Sequence, residues 1–295
     1  MNEAIGTAAR TVEVRLIGAF TKDGRGGNPA GVVLDADALP AERRQAVATA
    51  VGAPETAFVR DAGGGVFEIE FYSPVKQIPD CGHATVAAFS QLVKEGRVRG
   101  AEAVKRTIIG DRAIALDGER VFMEQPRPAI VPFPHGAEIA RALGISADAL
   151  TREPVRADHG MPFILVETTR AALAGAIPDL AAIHRISEAA DVVGLYVYAR
   201  LAASDASRDG EAERDDADAT IRMFAPRVGI AEEAATGMAA GLLGAHLAGD
   251  AERAEYRFVQ GALMPTPSPS ELIVRVEPAR VVVGGTARPI RTLHV

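Results

Sequence analysis

The chain has 295 residues, 48% of them hydrophobic, enough for one large core or for two domains of about 150 residues each. Its 32 basic and 39 acidic residues give a net charge of −7, which argues against broad binding to nucleic acid or an anionic membrane without forbidding a local basic pocket. The single cysteine, Cys81, excludes an internal disulfide and any cysteine-based zinc or iron–sulfur cluster.

That cysteine usage fits a reducing cytoplasm. The first ten residues show no basic stretch followed by an apolar one, and no apolar run reaches about 18 residues, so neither secretion nor membrane spanning is expected. In chain order, residues 12–20 alternate at period two, a half-buried strand. A polar loop, 21–27, leads to Asn28-Pro29-Ala30-Gly31 and a strand at 32–34. Pro40 marks a helix start, and 42–51 has helical spacing ended by Gly52. A turn at Pro54-Glu55 runs into a strand to Val59, and Gly63-Gly64-Gly65 precedes the strictly alternating strand 66–72. A helix follows His83 to about Glu95. Strands are expected near 106–109, 113–116 and 121–124, and the four prolines of 126–134 suggest a linker.

Beyond that linker the spacing predicts helices over 136–143 and 178–182 and strands over 163–166 and 192–198. Residues 204–218 are charged, lack apolar periodicity and read as a solvated loop tolerant of trimming. A strand at 220–226, a small-residue helix at 236–247 and strands at 257–259, 272–276, 281–284 and 289–295 complete the chain.

The stretch Ile78 to Ala88 places Cys81, Gly82 and His83 at the start of an apolar helix. The first N–H groups of a helix lack intrahelical partners and its dipole is positive there, so an anion is a natural guest. Alone, a histidine in that position is more often a cap or a satisfied core residue than a catalyst. The segment has an echo, however. Residues 67–74, ending in Ser73-Pro74, parallel 219–226, ending in Ala225-Pro226, at an offset of 152, and Cys81-Gly82-His83-Ala84 parallels Thr236-Gly237-Met238-Ala239 at an offset of 155. A repeat of half the chain implies two similar domains, whose helix N-termini can face one ligand across a cleft.

Gly27-Asn28-Pro29-Ala30-Gly31, Glu55-Thr56-Ala57-Phe58-Val59, Cys81-Gly82-His83-Ala84-Thr85, Phe224-Ala225-Pro226, Ala235-Thr236-Gly237 and Gln260-Gly261 stand in the order and spacing of the phenazine-biosynthesis PhzF family. By this resemblance, which spans nearly the whole chain, the protein is similar to members of the diaminopimelate epimerase and proline racemase superfamily. The resemblance implies an α+β fold of two pseudo-symmetric domains, each a curled, mostly antiparallel sheet around a central helix. The boundaries would be 1–128 and 129–285, with the last strand, about 286–295, packing on the first domain. It further implies a homodimer and a cofactor-free, metal-free isomerase for a small carboxylate-bearing substrate. Glu55 matches the catalytic acid/base, which burial would tune upward. Asn28, Cys81, Gly82, His83, Glu233, Thr236, Gly237 and Met238 fall at substrate-binding positions.

Departures from the family pattern bear on the substrate. Glu233-Ala234 replaces the usual Asp-Pro, Met238 replaces a serine, Pro54 replaces the serine before the catalytic Glu, and Asp80 replaces an apolar residue. Losing a bonding group changes what a site accepts, which counts against the phenazine precursor itself. Two alternatives remain open. Cys81, at a helix N-terminus that would lower its pKa, suits a single-thiol dehydratase or epimerase of a hydroxyproline-like amino acid, although Thr236 replaces the second cysteine of two-base racemases. A non-catalytic carboxylate-binding protein of the same fold is the other.

Overall fold

The computed structural model describes residues 11–201, 217–251 and 254–295. The first ten residues and the charged segment 204–218, apart from its last two residues, lie outside the described residues. In chain order the elements are β1 (Glu13–Thr21), β2 (Asn28–Val33), α1 (Ala41–Val51), β3 (Glu55–Gly63), β4 (Val66–Tyr72), β5 (Gln77–Ile78), α2 (Gly82–Lys94), β6 (Glu102–Thr107), β7 (Gly110–Asp117), β8 (Arg120–Pro126) and β9 (Ala129–Pro132). Next come α3 (Gly136–Leu143), β10 (Val155–Asp158), β11 (Phe163–Glu167), α4 (Arg170–Gly175), α5 (Leu180–Ala189), β12 (Gly194–Arg200), β13 (Ala219–Phe224), α6 (Gly237–Ala248), β14 (Ala254–Gln260), β15 (Ser270–Val276) and β16 (Arg280–His294).

The strands form one mixed sheet in the order β1-β2-β3-β4-β6-β7-β8-β16-β15-β14-β13-β12-β11-β10-β9, with β5 on β4. Because β16 also pairs with β1, from Glu13 opposite His294 to Thr21 opposite Thr286, the strands from β1 through β8 to β16 close into a barrel. The pairing senses recur along the chain. The series β1–β2 antiparallel, β2–β3 parallel, β3–β4 antiparallel, β4–β6 parallel and β6–β7 antiparallel is matched by β10–β11, β11–β12, β12–β13, β13–β14 and β14–β15. Parallel neighbours need a crossover, and α2 and α6 supply equivalent ones.

Each crossover helix is core because its sequence is apolar or small all round. Along β4, Phe67, Ile69 and Phe71 point inward and are buried, while Glu68 and Glu70 alternate outward. They meet α2, where Phe89 packs edge-on against Phe67 with ring centroids 5.6 Å apart. Truncating Phe89 to alanine is expected to cost about 3–5 kcal/mol. Around α6, Ala239, Ala240, Leu242 and Leu243 are fully buried. A second apolar cluster, including Ile139, Leu143, Ile183 and Ile186, joins α3 and α5 to the other face of β11 and β12.

Three sequence expectations change. Within the proline-rich stretch 126–134, Ala129–Pro132 form β9, an edge strand on β10, where a proline's missing N–H is tolerated. The segments expected as separate strands at 281–284 and 289–295 are one strand of 15 residues, β16. It absorbs register shifts against β1 between Leu16 and Ile17 and between Ala19 and Thr21. Finally, β10 and α4 appear where no element was expected. Among the described residues, no helix is long and apolar enough to cross a membrane.

Candidate active site

Two glycines aim the first site residue. Gly26 and Gly27 have φ of 60° and 89°, and a Cβ on either would fall 2.1 Å from Pro269 O or 2.8 Å from Ala19 O. Gly27 N–H donates to Pro269 O at 3.1 Å and Ser268 Oγ donates to Gly27 O at 2.8 Å, so the chain enters β2 with Asn28 buried. Parallel register places Ala30 of β2 opposite Glu55, the first residue of β3. Cys81, in extended conformation, caps α2, and Thr236 caps α6.

Side chains from these four places converge. His83 Nε2 lies 3.0 Å from Glu55 Oε2, and His83 Nδ1 lies 4.0 Å from Glu233 Oε1. Glu55 Oε2 is buried, with the His83 ring as its close charged neighbour. Cys81 Sγ sits 3.5 Å from His83 Nδ1. Asn28 Nδ2 donates to Glu233 Oε1 at 3.0 Å and to Ala235 O at 3.1 Å, and lies 3.3 Å from His83 Nδ1. It therefore ties the start of β2 to both helix caps.

A second network fixes Glu233. Gln260 Nε2 donates to Glu233 O at 2.7 Å and to Thr236 Oγ1 at 3.0 Å, while its Oε1 accepts from Thr236 N–H at 3.2 Å and Tyr196 O–H at 3.0 Å. The Thr236 hydroxyl, already an acceptor, gives its own proton to Glu233 Oε2 at 2.5 Å. Thr236 is committed as a donor and both Glu233 oxygens as acceptors.

Burial pushes the Glu55 carboxyl up, but the bond and charge of the facing His83 ring, with a smaller contribution from Cys81, leave it below the ordinary carboxylate value. Burial would lower His83, yet the Cys81 sulfur and the Glu55 carboxylate hold its imidazole well above the ordinary value. The Cys81 thiol is raised by burial, against the pull of His83 and with the Glu55 charge adding to the rise. Glu233 is raised, by burial first and the Glu55 charge second, against His83, Thr236 and Asn28. Two expectations are thereby corrected. The partner ring outweighs the cleft's dryness at Glu55, and enclosure of the sulfur outweighs the helix N-terminus at Cys81.

Asn28, Glu55, Cys81, His83, Glu233 and Thr236 thus meet. Gly82 and Gly237 open their helices beside them, and Met238 follows Gly237, its Sδ 3.7 Å from Gln125 Nε2, which also donates to Gly237 O at 3.1 Å, and its carbonyl 3.3 Å from His159 Nε2. Gln260, Tyr196 and Gln125 were not expected as site residues. Only Gln260 carried a signal, in the quoted Gln260-Gly261 pair. The donor atoms of Glu55, Cys81 and His83 lie within 4.8 Å of one another, with His83 Nε2 the ring atom that faces Glu55.

The family model described as phenazine biosynthesis-like protein, PhzC-PhzF, matches residues 17–292. The chain belongs to this family. It is 35% identical over 292 residues to an uncharacterized isomerase of Deinococcus radiodurans, covering 92% of this chain and 90% of that one. It is 33% identical over 244 residues to trans-2,3-dihydro-3-hydroxyanthranilate isomerase of Pseudomonas aeruginosa, covering 79% and 78%. In fold it resembles a PhzF-family protein of Bacillus anthracis with a TM-score of 0.86 at 24% identity, covering 97% and 99%. A hydroxyproline epimerase of Agrobacterium vitis shares the fold more distantly, with a TM-score of 0.56 at 12% identity over 97% and 91%. The PhzF family is isomerase-like, as these relatives' names indicate.

Proposed function

We propose that this PhzF-family chain is a cofactor-independent isomerase that moves a proton on a small carboxylate-bearing substrate, with Glu55 as the group that takes and returns it. The observation that carries this reading is the buried Glu55 oxygen, enclosed in the cleft 3.0 Å from the His83 ring. An ionised oxygen with an unused lone pair, enclosed beside two helix N-termini, is equipped to accept a proton from carbon. As the C–H bond breaks, its electron pair spreads into the substrate's conjugated system. The His83 imidazolium and the first-turn N–H groups of α2 and α6 are suited to hold the charge that develops. Glu55, now protonated, gives the proton to a different carbon, and no oxidant or cofactor enters the balance.

The reading includes two pseudo-symmetric domains, near 1–128 and 129–285, with the cleft between them, working as a cytoplasmic homodimer. Matched pairing supports one-sided chemistry. Thr56 lies opposite Tyr72 and Leu195 opposite Phe224, which occupy equivalent places in the repeat, so the counterpart of Glu55 is Gly194. At that position the second half carries glycine where the first carries a base, and Thr236 is occupied in holding Glu233.

A second reading has one observation in its favour, the 3.5 Å approach of Cys81 Sγ to His83 Nδ1, which suits a thiol-based dehydratase or epimerase of a hydroxyproline-like amino acid. A third keeps binding without turnover. One experiment separates them. Small cyclic and amino carboxylic acids, including trans-2,3-dihydro-3-hydroxyanthranilate, are incubated with the protein in D2O and followed by mass spectrometry. Glu55→Gln should abolish deuterium incorporation while leaving ligand binding nearly intact, and Cys81→Ser should be nearly silent. Undiminished exchange in Glu55→Gln overturns the Glu55 mechanism. A loss of about a thousandfold in Cys81→Ser moves the assignment to the thiol. Binding without exchange or dehydration by the wild type supports the third reading.

A further inference from the structure

Two buried cations near the cleft take no part in that chemistry. Strand alternation puts Lys105 beside Ala103 on the inward face of β6, where Lys105 is 2% exposed, and Arg222 on β13 is 6% exposed. Charged side chains are rarely so enclosed unless paired. Lys105 Nζ donates to Asp80 Oδ1 at 2.5 Å and to Thr85 Oγ1 at 3.3 Å, and lies 5.7 Å from the centre of the Phe71 ring. Asp80 Oδ1 accepts the Cys81 N–H at 2.7 Å, and Thr85 Oγ1 donates to the Cys81 carbonyl at 2.7 Å. One ammonium therefore holds, through two intermediaries, both main-chain polar groups of Cys81, the residue that caps α2.

Arg222 does the corresponding work on the other side. Its Nε and Nη2 fork onto the two Glu232 oxygens at 2.8 and 2.9 Å, and its Nη1 donates to Ala176 O at 2.9 Å. Glu232 directly precedes Glu233, whose own N–H donates to Met223 O at 3.2 Å. We propose that Lys105–Asp80 and Arg222–Glu232 are positioning pairs that set the two turns carrying Cys81, Gly82 and His83 on one side and Glu233 on the other. This rests on reading the cleft as the active site. A buried ion pair is often replaceable by apolar side chains without loss of stability, so placement of the turns is the better account of why charges sit here.

The test replaces the pair Asp80→Leu with Lys105→Met, alongside Lys105→Arg, in the full chain. Readouts are the melting temperature, the alkylation rate of Cys81 by iodoacetamide, the amide NMR signals of Gly82 and His83, and deuterium exchange into substrate. The double variant is expected to fold, to shift both amide signals and to alkylate about tenfold faster as the turn opens. Its kcat/KM should drop by about a hundredfold, the cost of displacing a positioned group by an ångström. Lys105→Arg, which keeps the charge, should fall between it and the wild type. A folded double variant with unchanged alkylation and unmoved amide signals overturns the proposal, and a double variant that does not fold assigns the pair to stability and equally overturns it. If the wild type itself exchanges no substrate, the isomerase reading fails while the thiol and amide readouts still decide this one.

Discussion

Replacing Gly82 by alanine should raise stability and remove turnover together. Gly82 is the first residue of α2 and its φ is not positive, so an alanine there meets no backbone strain. A Cβ built on it meets only Met123 Cε, at 3.4 Å, an ordinary van der Waals contact, and otherwise open space. Packing therefore does not require glycine. Reducing the freedom of the unfolded chain at such a position stabilises by about 0.4–1 kcal/mol. The new methyl, however, fills room beside His83 and the first-turn N–H groups, which are proposed to hold the charge that develops on the substrate. Pushing a reacting carbon away from Glu55 by about 1 Å costs on the order of a hundredfold in rate. Urea unfolding at neutral pH gives the first quantity, and deuterium incorporation under saturating and limiting substrate gives the second. Wild-type turnover in a folded Gly82→Ala protein would refute the placement of substrate against this turn. Destabilisation of more than about 1 kcal/mol would refute the steric account.

Other outcomes follow from the same geometry. Gln260→Leu strips Thr236 and Tyr196 of a buried acceptor and Glu233 O of a donor, and chemical denaturation should show a loss of at least about 3 kcal/mol, since each of the three buried groups left unpaired costs about 1–3 kcal/mol. Asn28→Ala removes a charge-assisted bond to Glu233 and a neutral one to Ala235 O, worth about 2–4 kcal/mol together, measurable in the same way. The Glu55–His83 contact has a defined pH window. Glu55, lowered by its partner, stabilises above the ordinary 4.5 and loses that contribution as pH falls through its folded pKa. His83, raised, stabilises below the ordinary 6.5 and loses it as pH rises through its folded pKa. Glu55→Gln should therefore flatten the acid limb of the denaturation midpoint and weaken the alkaline limb only in part, because Cys81 contributes more than Glu55 to the His83 shift. An acid limb as steep as wild type would contradict the pairing.

Much of this was legible in the sequence where local pattern and long-range contact agree. The alternation of Val66–Tyr72 and the apolar run after His83 gave a strand and a buried helix because one face, or every face, of each is core. The repeat offset of 152 marked two equivalent crossovers before any contact was known. Glu55 and Glu233 could be named as candidates only through the resemblance, since 178 positions separate them and no spacing rule joins them. Direction of titration was not legible. It depends on a ring 3.0 Å from Glu55 that comes from another element. Lys105 lay outside the strand expected near 106–109, and nothing local shows that its side of β6 faces Asp80. Proline content misled at 129–132, where an edge strand tolerates what a central strand would not.

The strand β16 carries a consequence for how the chain acquires this structure. Its final residues pair with β1 across almost the full length of the sequence, Glu13 meeting His294 and the Val12 N–H bonding to Val295 O at 2.7 Å. The barrel around α2 is built mainly from early strands, yet it cannot close until β16 has been made. A ribosome releasing the chain therefore exposes an unpaired β1 edge until β16 emerges. Such high contact order predicts slow closure, limited by the last strand to arrive. Deleting residues 286–295 should then yield a chain that collapses but aggregates through that edge.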